Sequence, residues 1–363
     1  MVMLVLILVV VAALAFDFTN GFHDTANAMA TSIATGALSP RVAVVVSGVL
    51  NLVGAFLSIE VARTISSGLV DGSRIGPAVV FSGLVGAVVW NLATWLLGLP
   101  SSSSHALFGG LIGATWVAAG SDAVRFGAVV EKVVVPAVAS PLIAGVVAGV
   151  GTYLAYTITR RAKTSARGFR YGQIASASLV SLAHGTNDAQ KTMGIVTLTL
   201  ITAGMLPAGA GPPLWVILSA GLAIALGTWL GGWRIIRTLG TRITEIEAPQ
   251  GFAAESAAAT VILTSSQLGF ALSTTHVCAG GVVGAGVGKR LAEVRWTVAG
   301  RMVVAWLLTL PAAALVGALA GRTAAQGTAG VLVVAAAGVA VAVACWVLSR
   351  RNPVSAHNVN QAA

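Results

Sequence analysis

The sequence predicts an all-α polytopic membrane protein composed of two related halves, and three observations support this fold class. Only 9% of the 363 residues are charged, against about 25% in soluble domains, whereas 56% are hydrophobic. Polar motifs of the first half recur in the second. Stretches without Asp, Glu, Lys or Arg are each at least as long as the roughly 20 residues that cross a bilayer, and they cover 75–121, 133–159, 192–233, 256–288, 302–321 and 323–349.

The elements of the first half follow from the order of apolar and polar segments. Residues 1–16 are apolar but lack the charged leader and small-residue cleavage site of a secretory signal, so they predict a retained span. The apolar run 42–59 predicts a second helix. Stretch 75–121 is about twice one crossing, and its polar, proline-containing middle at 99–105 predicts a hairpin whose tip is buried in protein. Residues 133–156 predict a further span.

A basic segment separates the two halves. Between Arg160 and Arg170 there are five basic residues and no acid, which is typical of a cytoplasmic loop. The formal net charge of +10 is therefore attributed to short links between spans and not to nucleic-acid binding. The predicted organisation is a first transmembrane repeat at 1–156, a basic cytoplasmic linker at 157–172, a second repeat at 173–300, and C-terminal helices with a tail at 301–363.

Two motif pairs indicate the internal repeat. Segment 21–29 recurs as 185–193, offset by 164 residues, with Gly, Asp and Met in the same places. Segment 103–114 recurs as 274–285, offset by 171 residues, with the same His, Gly-Gly and Gly-Ala. The two motifs keep their order, which indicates homologous halves. The sequence pattern leaves open whether the halves are inverted, but interrupted helices at matching places favour a transporter site between them.

The two recurrent acids, Asp24 and Asp188, are the first candidate functional groups. A carboxylate at membrane depth costs about 2.5–3.5 kcal/mol or more unless it faces protein, water or a cation. Because the acid is repeated, a cation or proton site is favoured over a helix cap. For Asp17, which lies on the same helical face as Asp24 and has Ser181 as its counterpart, a structural role is equally favoured.

Amides, hydroxyls and one ammonium surround the acids in sequence, a mixture that suits an oxyanion together with a cation. Lys191 can neutralise Asp188 or attract an anion, and both interpretations stay open. Hydroxyls at 101–104 and 273–275 precede glycine-rich helices whose N-termini could hold an anion, although Ser and Thr are also ordinary N-caps. The surrounding polar residues are Asn20, His23, Thr25, Asn27, Asn187, Gln190 and Thr192.

Four of the five histidines fall in these motifs, which raises a metal site or a proton relay. The spacing lacks the His-Glu-x-x-His pattern of zinc hydrolases, so proton handling or orientation is favoured, and the metal is left undetermined. Glu255, at the edge of an uncharged run, is either a titrating group or a marker of the membrane interface. No cofactor is expected.

The motifs as a set closely resemble the inorganic phosphate transporter (Pit) family. The residues that carry the resemblance are Asn-Gly-Phe-His-Asp-Thr-Ala-Asn-Ala at 20–28, Leu-Pro-Ser-Ser-Ser-Ser-His at 99–105, Ala-His-Gly-Thr-Asn-Asp-Ala-Gln-Lys at 183–191 and Leu-Ser-Thr-Thr-His at 272–276. The match spans about 1–300. It implies two inverted-topology repeats with interrupted helices and re-entrant hairpins, with phosphate enclosed by the Asp motifs and the Ser/Thr hairpins.

Departures from the family pattern narrow the expected coupling ion. His23 stands where sodium-coupled members usually have Asn, so this half resembles the bacterial low-affinity branch. That branch implies proton coupling and transport of neutral complexes of phosphate with divalent metals. Arg63 stands where many relatives have Glu, whereas Glu255 is retained in the second half.

The resulting expectation is a secondary active transporter in a multi-pass bacterial cell membrane, which imports inorganic phosphate by cation symport through alternating access, with protons as the coupling ion. The expected phosphate ligands are Thr25, Asn27, Ser102, Ser103, Ser104, Gln190, Thr192, Ser273, Thr274 and Thr275. The expected coupling residues are His23, Asp24, Asn187, Asp188 and Glu255.

Four alternatives remain at this stage. Two are transporters: a sulfate permease of the same family and a sodium-coupled phosphate symporter. The others are a passive anion channel and, from a distant class, an intramembrane metallohydrolase using the histidines and aspartates; the sequence favours a protein that is not an enzyme. The expected partners are inorganic phosphate and membrane lipid, without nucleic acid, and a homodimer is left open.

Overall fold

The computed structural model describes residues 2–162, 166–290 and 294–360, and these residues are nearly all helical. Apart from an isolated bridge between Val70 and Val124, they contain no β-structure. Their α-helices are α1 (Val2–Ala34), α2 (Pro40–Gly54), α3 (Glu60–Gly68), α4 (Pro77–Leu97), α5 (Ser103–Ala119), α6 (Phe126–Val129), α7 (Val135–Ala162), α8 (Ala166–Thr202), α9 (Leu214–Leu230), α10 (Trp233–Arg237), α11 (Ala248–Gln267), α12 (Thr274–Lys289), α13 (Trp296–Ala324) and α14 (Thr328–Ser349).

The apolar helices confirm the predicted polytopic membrane protein. Five segments are long and apolar enough to cross a membrane: α1, α4, the joined α6 and α7, α13 and α14. A sixth is formed if α9 and the following helical segment, bent by 59°, count as one span. Large apolar side chains such as Leu307 and Val146, 72% and 67% exposed, cover the outer surface, as lipid contact requires.

The boundaries differ in two places from those expected. The segment 157–172 is mostly helical, because α7 continues to Ala162 and α8 begins at Ala166; residues 163–165 lie outside the described residues. Helix α13 runs without interruption through residue 300, where the second repeat was expected to end. In both places the helix extends into polar sequence, which hydropathy alone excludes from a span.

Two helical hairpins, α4–α5 and α11–α12, carry the hydroxyl motifs at their tips. In the first, α4 ends before Gly98, whose φ is +65°, and Pro100 lies in the short link. Ser102 and Ser273 are the N-caps of α5 and α12, and each side chain accepts a hydrogen bond from a backbone N–H at 3.2 Å. The return helices therefore begin at the recurrent Ser/Thr residues.

The hairpins enter the molecule from opposite ends. The open end of the first lies where α8 ends, since Gly72, before α4, packs against Thr202. The open end of the second lies where α7 ends, since Glu247, before α11, accepts a hydrogen bond from Tyr156. Lys289, at the end of α12, pairs with Glu247 at 2.9 Å. The two tips therefore meet inside the protein.

Helices of the two halves are exchanged between packing partners. Helix α1 packs on α9 and α8 packs on α2, so each first helix contacts the second helix of the other half. Likewise, α5 packs on α13 and α12 packs on α7. The same packing pattern results when the halves are interchanged. Two apolar clusters, one around each hairpin, leave the polar motifs between them.

Candidate functional site

The two recurrent aspartates lie between the hairpin tips. Asp24 in α1 and Asp188 in α8 are both buried. Ser103, the first residue of α5, donates to Asp24 Oδ2 at 3.0 Å. At the start of α12, Thr275 donates to Asp24 Oδ1 at 3.3 Å, and Thr274 donates to Asp188 Oδ2 at 2.9 Å. Both hairpins therefore contact the carboxylates through hydroxyls of their first helical turn.

Lys191 joins Asp188 to both hairpins. Its ammonium forms an ion pair with Asp188 and donates to Ser104 Oγ at 2.6 Å and to the carbonyl oxygen of Leu272 at 3.0 Å. Asn27 holds the same position in the first repeat, since 27 + 164 = 191. Lys191 thus contacts the first hairpin from the second half and neutralises Asp188, which was one of the two interpretations left open.

Asn27 makes the matching contact from the first half. Its Nδ2 donates to the hydroxyls of Thr275 and Thr274 at 3.0 and 3.4 Å. A helix N-terminus offers unpaired N–H groups and a partial positive charge. Two such termini, α5 and α12, meet here with their hydroxyls, an arrangement that is able to hold an oxyanion.

Two imidazoles complete the centre. His23 Nδ1 lies 2.6 Å from Asp24 Oδ1. His184 Nε2 lies 2.7 Å from Asp188 Oδ2 and 3.9 Å from Asp24 Oδ2, while its Nδ1 lies 3.1 Å from Asn51 Oδ1. Since an amide oxygen only accepts, Nδ1 carries the hydrogen and Nε2 is directed at the carboxylates. His184 can therefore exchange a proton between them.

The centre has the ligands and the charge of a cation site. Ligand atoms of Asp24, His184 and Asp188 all lie within 4.8 Å of one another. The two carboxylates and the Lys191 ammonium sum to one negative charge when the imidazoles are neutral. An anion cannot enter so buried a centre without accompanying protons or metal cations, because unpaired charge is costly at membrane depth.

Several predicted phosphate ligands point elsewhere. Ser102 and Ser273 cap helices and use their oxygens for that purpose. Thr25 donates to the carbonyl oxygens of Gly21 at 2.6 Å and of Thr228 at 3.3 Å, on the side of α9. These three side chains shape the site from behind and do not face the carboxylates.

The remaining polar side chains of α8 are also turned away from the hairpin tips. Asn187 is buried and has no hydrogen-bond partner among the described residues. Thr192 lies beside Asp17, which is itself buried. The side-chain oxygen of Gln190 accepts hydrogen bonds from the backbone N–H groups of Val61 at 2.8 Å and Ala62 at 3.2 Å, at the start of α3.

We expect Gln190→Ala to weaken folding without weakening phosphate binding. The change removes both hydrogen bonds at the start of α3, and leaving these buried groups unsatisfied costs about 1–3 kcal/mol each. The measurement is thermal unfolding of the purified protein together with the KM of uptake. A lowered unfolding temperature with an unchanged KM is expected, whereas a raised KM at unchanged stability would show that Gln190 contacts the substrate.

Glu255 belongs to a second polar cluster. Its carboxylate accepts from Ser32 and Ser176, both at 2.7 Å, from Gln173 at 3.4 Å, and from Thr31. Thr31 is seven residues beyond Asp24, about 10 Å along α1. The structure therefore separates Glu255 from the paired aspartates, with hydroxyls and an amide as its neighbours.

Sequence reasoning assigned no specific role to His184 and left the role of Lys191 open. Their positions give a signal, because residues three or four apart on a helix are neighbours, and both therefore flank Asp188. The pairing of His184 with Asn51 joins positions 133 apart and has no sequence signal.

The fold and the buried polar centre define a multi-pass transporter of the cell membrane and not an enzyme. The pattern of the phosphate transporter family matches residues 20–317, and the chain belongs to this family. This confirms the resemblance that the motifs carry.

Similar proteins agree with this family. A "Probable low-affinity inorganic phosphate transporter" of Mycobacterium bovis is 60% identical over 360 residues, covering 98% of this chain and 86% of the relative. One of the same description from Bacillus subtilis is 42% identical over 323 residues, covering 86% and 95%. A solved structure, "The sodium-dependent phosphate transporter", has a TM-score of 0.78 at 25% identity and covers 87% of this chain and 97% of that chain.

Proposed function

We propose that this protein imports inorganic phosphate by proton-coupled symport through alternating access. The observation that carries the proposal is the buried centre of Asp24, His184 and Asp188, which faces the first turns of α5 and α12. The centre combines groups that bind or release protons with donors for an oxyanion.

Phosphate binds between the hairpin tips. The hydroxyls of Ser103, Ser104, Thr274 and Thr275 turn from their present acceptors to the phosphate oxygens, joined by the N–H groups of the same helical turns. The carboxylates repel the anion unless protons or cations bind with it. Coupling thus follows from charge balance, because an unaccompanied phosphate would leave excess negative charge at membrane depth.

Protons reach the carboxylates through the imidazoles. His23 and His184 each contact one aspartate, and each can hold a proton in the range where phosphate itself changes protonation. A divalent metal bound to phosphate can use Asp24, His184 and Asp188 as ligands, which supports a neutral metal–phosphate complex as substrate. Sodium coupling is the alternative, since the solved structure of similar fold is that of a sodium-dependent phosphate transporter.

Two inverted repeats, α1–α7 and α8–α13, provide the alternating access. The exchanged packing and the insertion of the hairpins from opposite ends support this assignment. Rocking one half against the other opens a path beside one hairpin tip and closes it beside the other. The end that holds Arg41, Arg160 and Arg170 is assigned to the cytoplasm by its positive charge.

Glu255 provides a second position for the coupling ion. The hydroxyls of Thr31, Ser32 and Ser176 and the Gln173 amide give it an oxygen-rich surrounding. Such a set suits a proton on the carboxylate or a hard cation. The cluster lies along α1 from the phosphate site, so ion binding there is able to affect the same helix.

Uptake of radiolabelled phosphate by proteoliposomes tests the proposal. An imposed proton gradient is expected to drive concentrative uptake without sodium, magnesium is expected to increase it, and excess sulfate is not expected to compete. Uptake driven only by sodium would overturn proton coupling. Absence of phosphate accumulation under either gradient, with accumulation of labelled sulfate, would overturn the substrate.

A further inference from the structure

A cavity of about 410 Å³ lies beside the tip of the first hairpin and shares none of its lining with the aspartate centre. Arg234, Arg237 and Arg242 line one side, and the C-terminal residues 352–354 line another. Gly98 of the hairpin link also borders the cavity. Three guanidinium groups therefore share one enclosed space next to an element of the transport site.

The local helix geometry brings the three arginines together. Arg234 and Arg237 are three residues apart in α10, so their side chains are neighbours on one face. The chain continues as a π-helical turn over Thr238–Arg242. A π turn joins residues five apart, which is the spacing of Arg237 and Arg242, and such turns are frequent at functional sites.

The positive charges of these arginines are balanced by no acid among residues 2–162, 166–290 and 294–360. Arg234 donates to the carbonyl oxygens of Ser349 and Asn352 at 2.9 and 2.6 Å, and Arg237 donates to the carbonyl and side-chain oxygens of Asn358 at 2.7 and 3.1 Å. All these acceptors are neutral. Arg237 Nε is buried without any partner in the described structure.

The corresponding helix of the other half lacks this excess of charge. Helix α3 follows α2 as α10 follows α9, and it lies beside the tip of the second hairpin, where Gly269 approaches Thr64. Its arginine, Arg63, pairs with Glu60 at 2.8 Å. The unbalanced positive charge is thus specific to the α10 side of the molecule.

The C-terminal segment forms the outer wall of the cavity and is itself well anchored. Val359 is buried in an apolar cluster with only 1% of its surface exposed. Asn360 donates to the carbonyl oxygen of Ile33 at 3.3 Å, and Arg41 lies 3.0 Å from His357 Nε2. The cavity is therefore enclosed by folded chain on both sides.

We propose that the cavity is a second oxyanion site, which binds a phosphate group through Arg237 and Arg242, with Arg234 adding charge. Guanidinium groups match the oxygens of a phosphate in paired, charge-assisted hydrogen bonds. A dianion offsets the unbalanced charge and gives Arg237 Nε an acceptor. The phosphate group belongs either to free inorganic phosphate or to the headgroup of an anionic phospholipid, since both present the same oxygens.

Equilibrium binding to the purified full chain tests this site. In phosphatidylcholine nanodiscs, Arg237→Gln/Arg242→Gln is expected to bind one phosphate fewer per chain than the wild type when radiolabelled phosphate is the probe. In nanodiscs that contain phosphatidic acid, a lipid site instead predicts about tenfold lower retention of phosphatidic acid by the double variant. The matched control is Arg322→Gln, an equal charge change at an exposed position at the end of α13.

The two arms distinguish the sources of the phosphate group. Loss of one bound phosphate assigns free phosphate, and loss of phosphatidic acid retention assigns the lipid headgroup. Equal binding of both probes by the wild type and the double variant overturns the site. Arg242→Gln alone gives the same test if the double variant folds poorly, because Arg242 is exposed and its loss removes no hydrogen bond that the structure describes.

Discussion

Replacing Asp188 by Asn is expected to lower phosphate uptake by at least about 100-fold. Asp188 pairs with Lys191 and His184 and accepts a hydrogen bond from Thr274, so its charge holds both hairpins and both halves in contact. Breaking a buried ion pair from one side costs about 3–5 kcal/mol, and each 1.36 kcal/mol corresponds to tenfold. The measurement is initial uptake in proteoliposomes at equal protein density.

A second variant separates this effect from misfolding. Asp188→Asn alone leaves the Lys191 ammonium buried without its partner, which also lowers stability. Asp188→Asn/Lys191→Met removes both charges and is expected to regain thermal stability while uptake stays absent. Asp122→Asn, the same chemical change at an exposed acid, is the matched control and should transport normally. Uptake near the wild-type rate in Asp188→Asn would refute the role given to this carboxylate.

The location of the site could be predicted from sequence because polar residues are rare and costly in an apolar chain. Asp24, Asp188 and the two hydroxyl motifs were conspicuous against uncharged stretches, and their repetition placed them together. The structure brings Asp24, Asp188, Ser103 and Thr274 into contact, as that argument requires. The all-helical, multi-span fold followed from the same contrast between apolar and polar segments.

The direction of individual side chains could not be predicted. Adjacent hydroxyls differ in role: Ser102 caps α5, while Ser103 contacts Asp24, and one residue of helical rotation decides between them. Gln190 turns to α3 because two backbone N–H groups there need an acceptor. Glu255 lies in its own cluster because α11 meets α1 beyond Asp24, a packing relation between distant segments.

The structure also explains why glycines recur in the hydroxyl motifs. A Cβ atom at Gly113 would lie 1.9 Å from the carbonyl oxygen of Ala314 in α13, and one at Gly284 would lie 2.0 Å from that of Gly145 in α7. The two glycines are equivalent positions, since 113 + 171 = 284. Each lets a return helix touch the backbone of a helix from the other half, as small residues do in membrane interfaces.

Gly284→Ala is therefore expected to destabilise the protein by about 3 kcal/mol or more, because α12 must separate from α7 to admit one methyl group. In an open helix the same change stabilises by up to about 1 kcal/mol. Gly300→Ala in α13, where nothing lies within 4 Å of the added atom, is the matched control. Thermal unfolding and uptake are measured together, and Gly113→Ala is expected to repeat the loss at the equivalent contact. If Gly284→Ala unfolds at the temperature of Gly300→Ala, the close backbone contact does not hold the second hairpin in place.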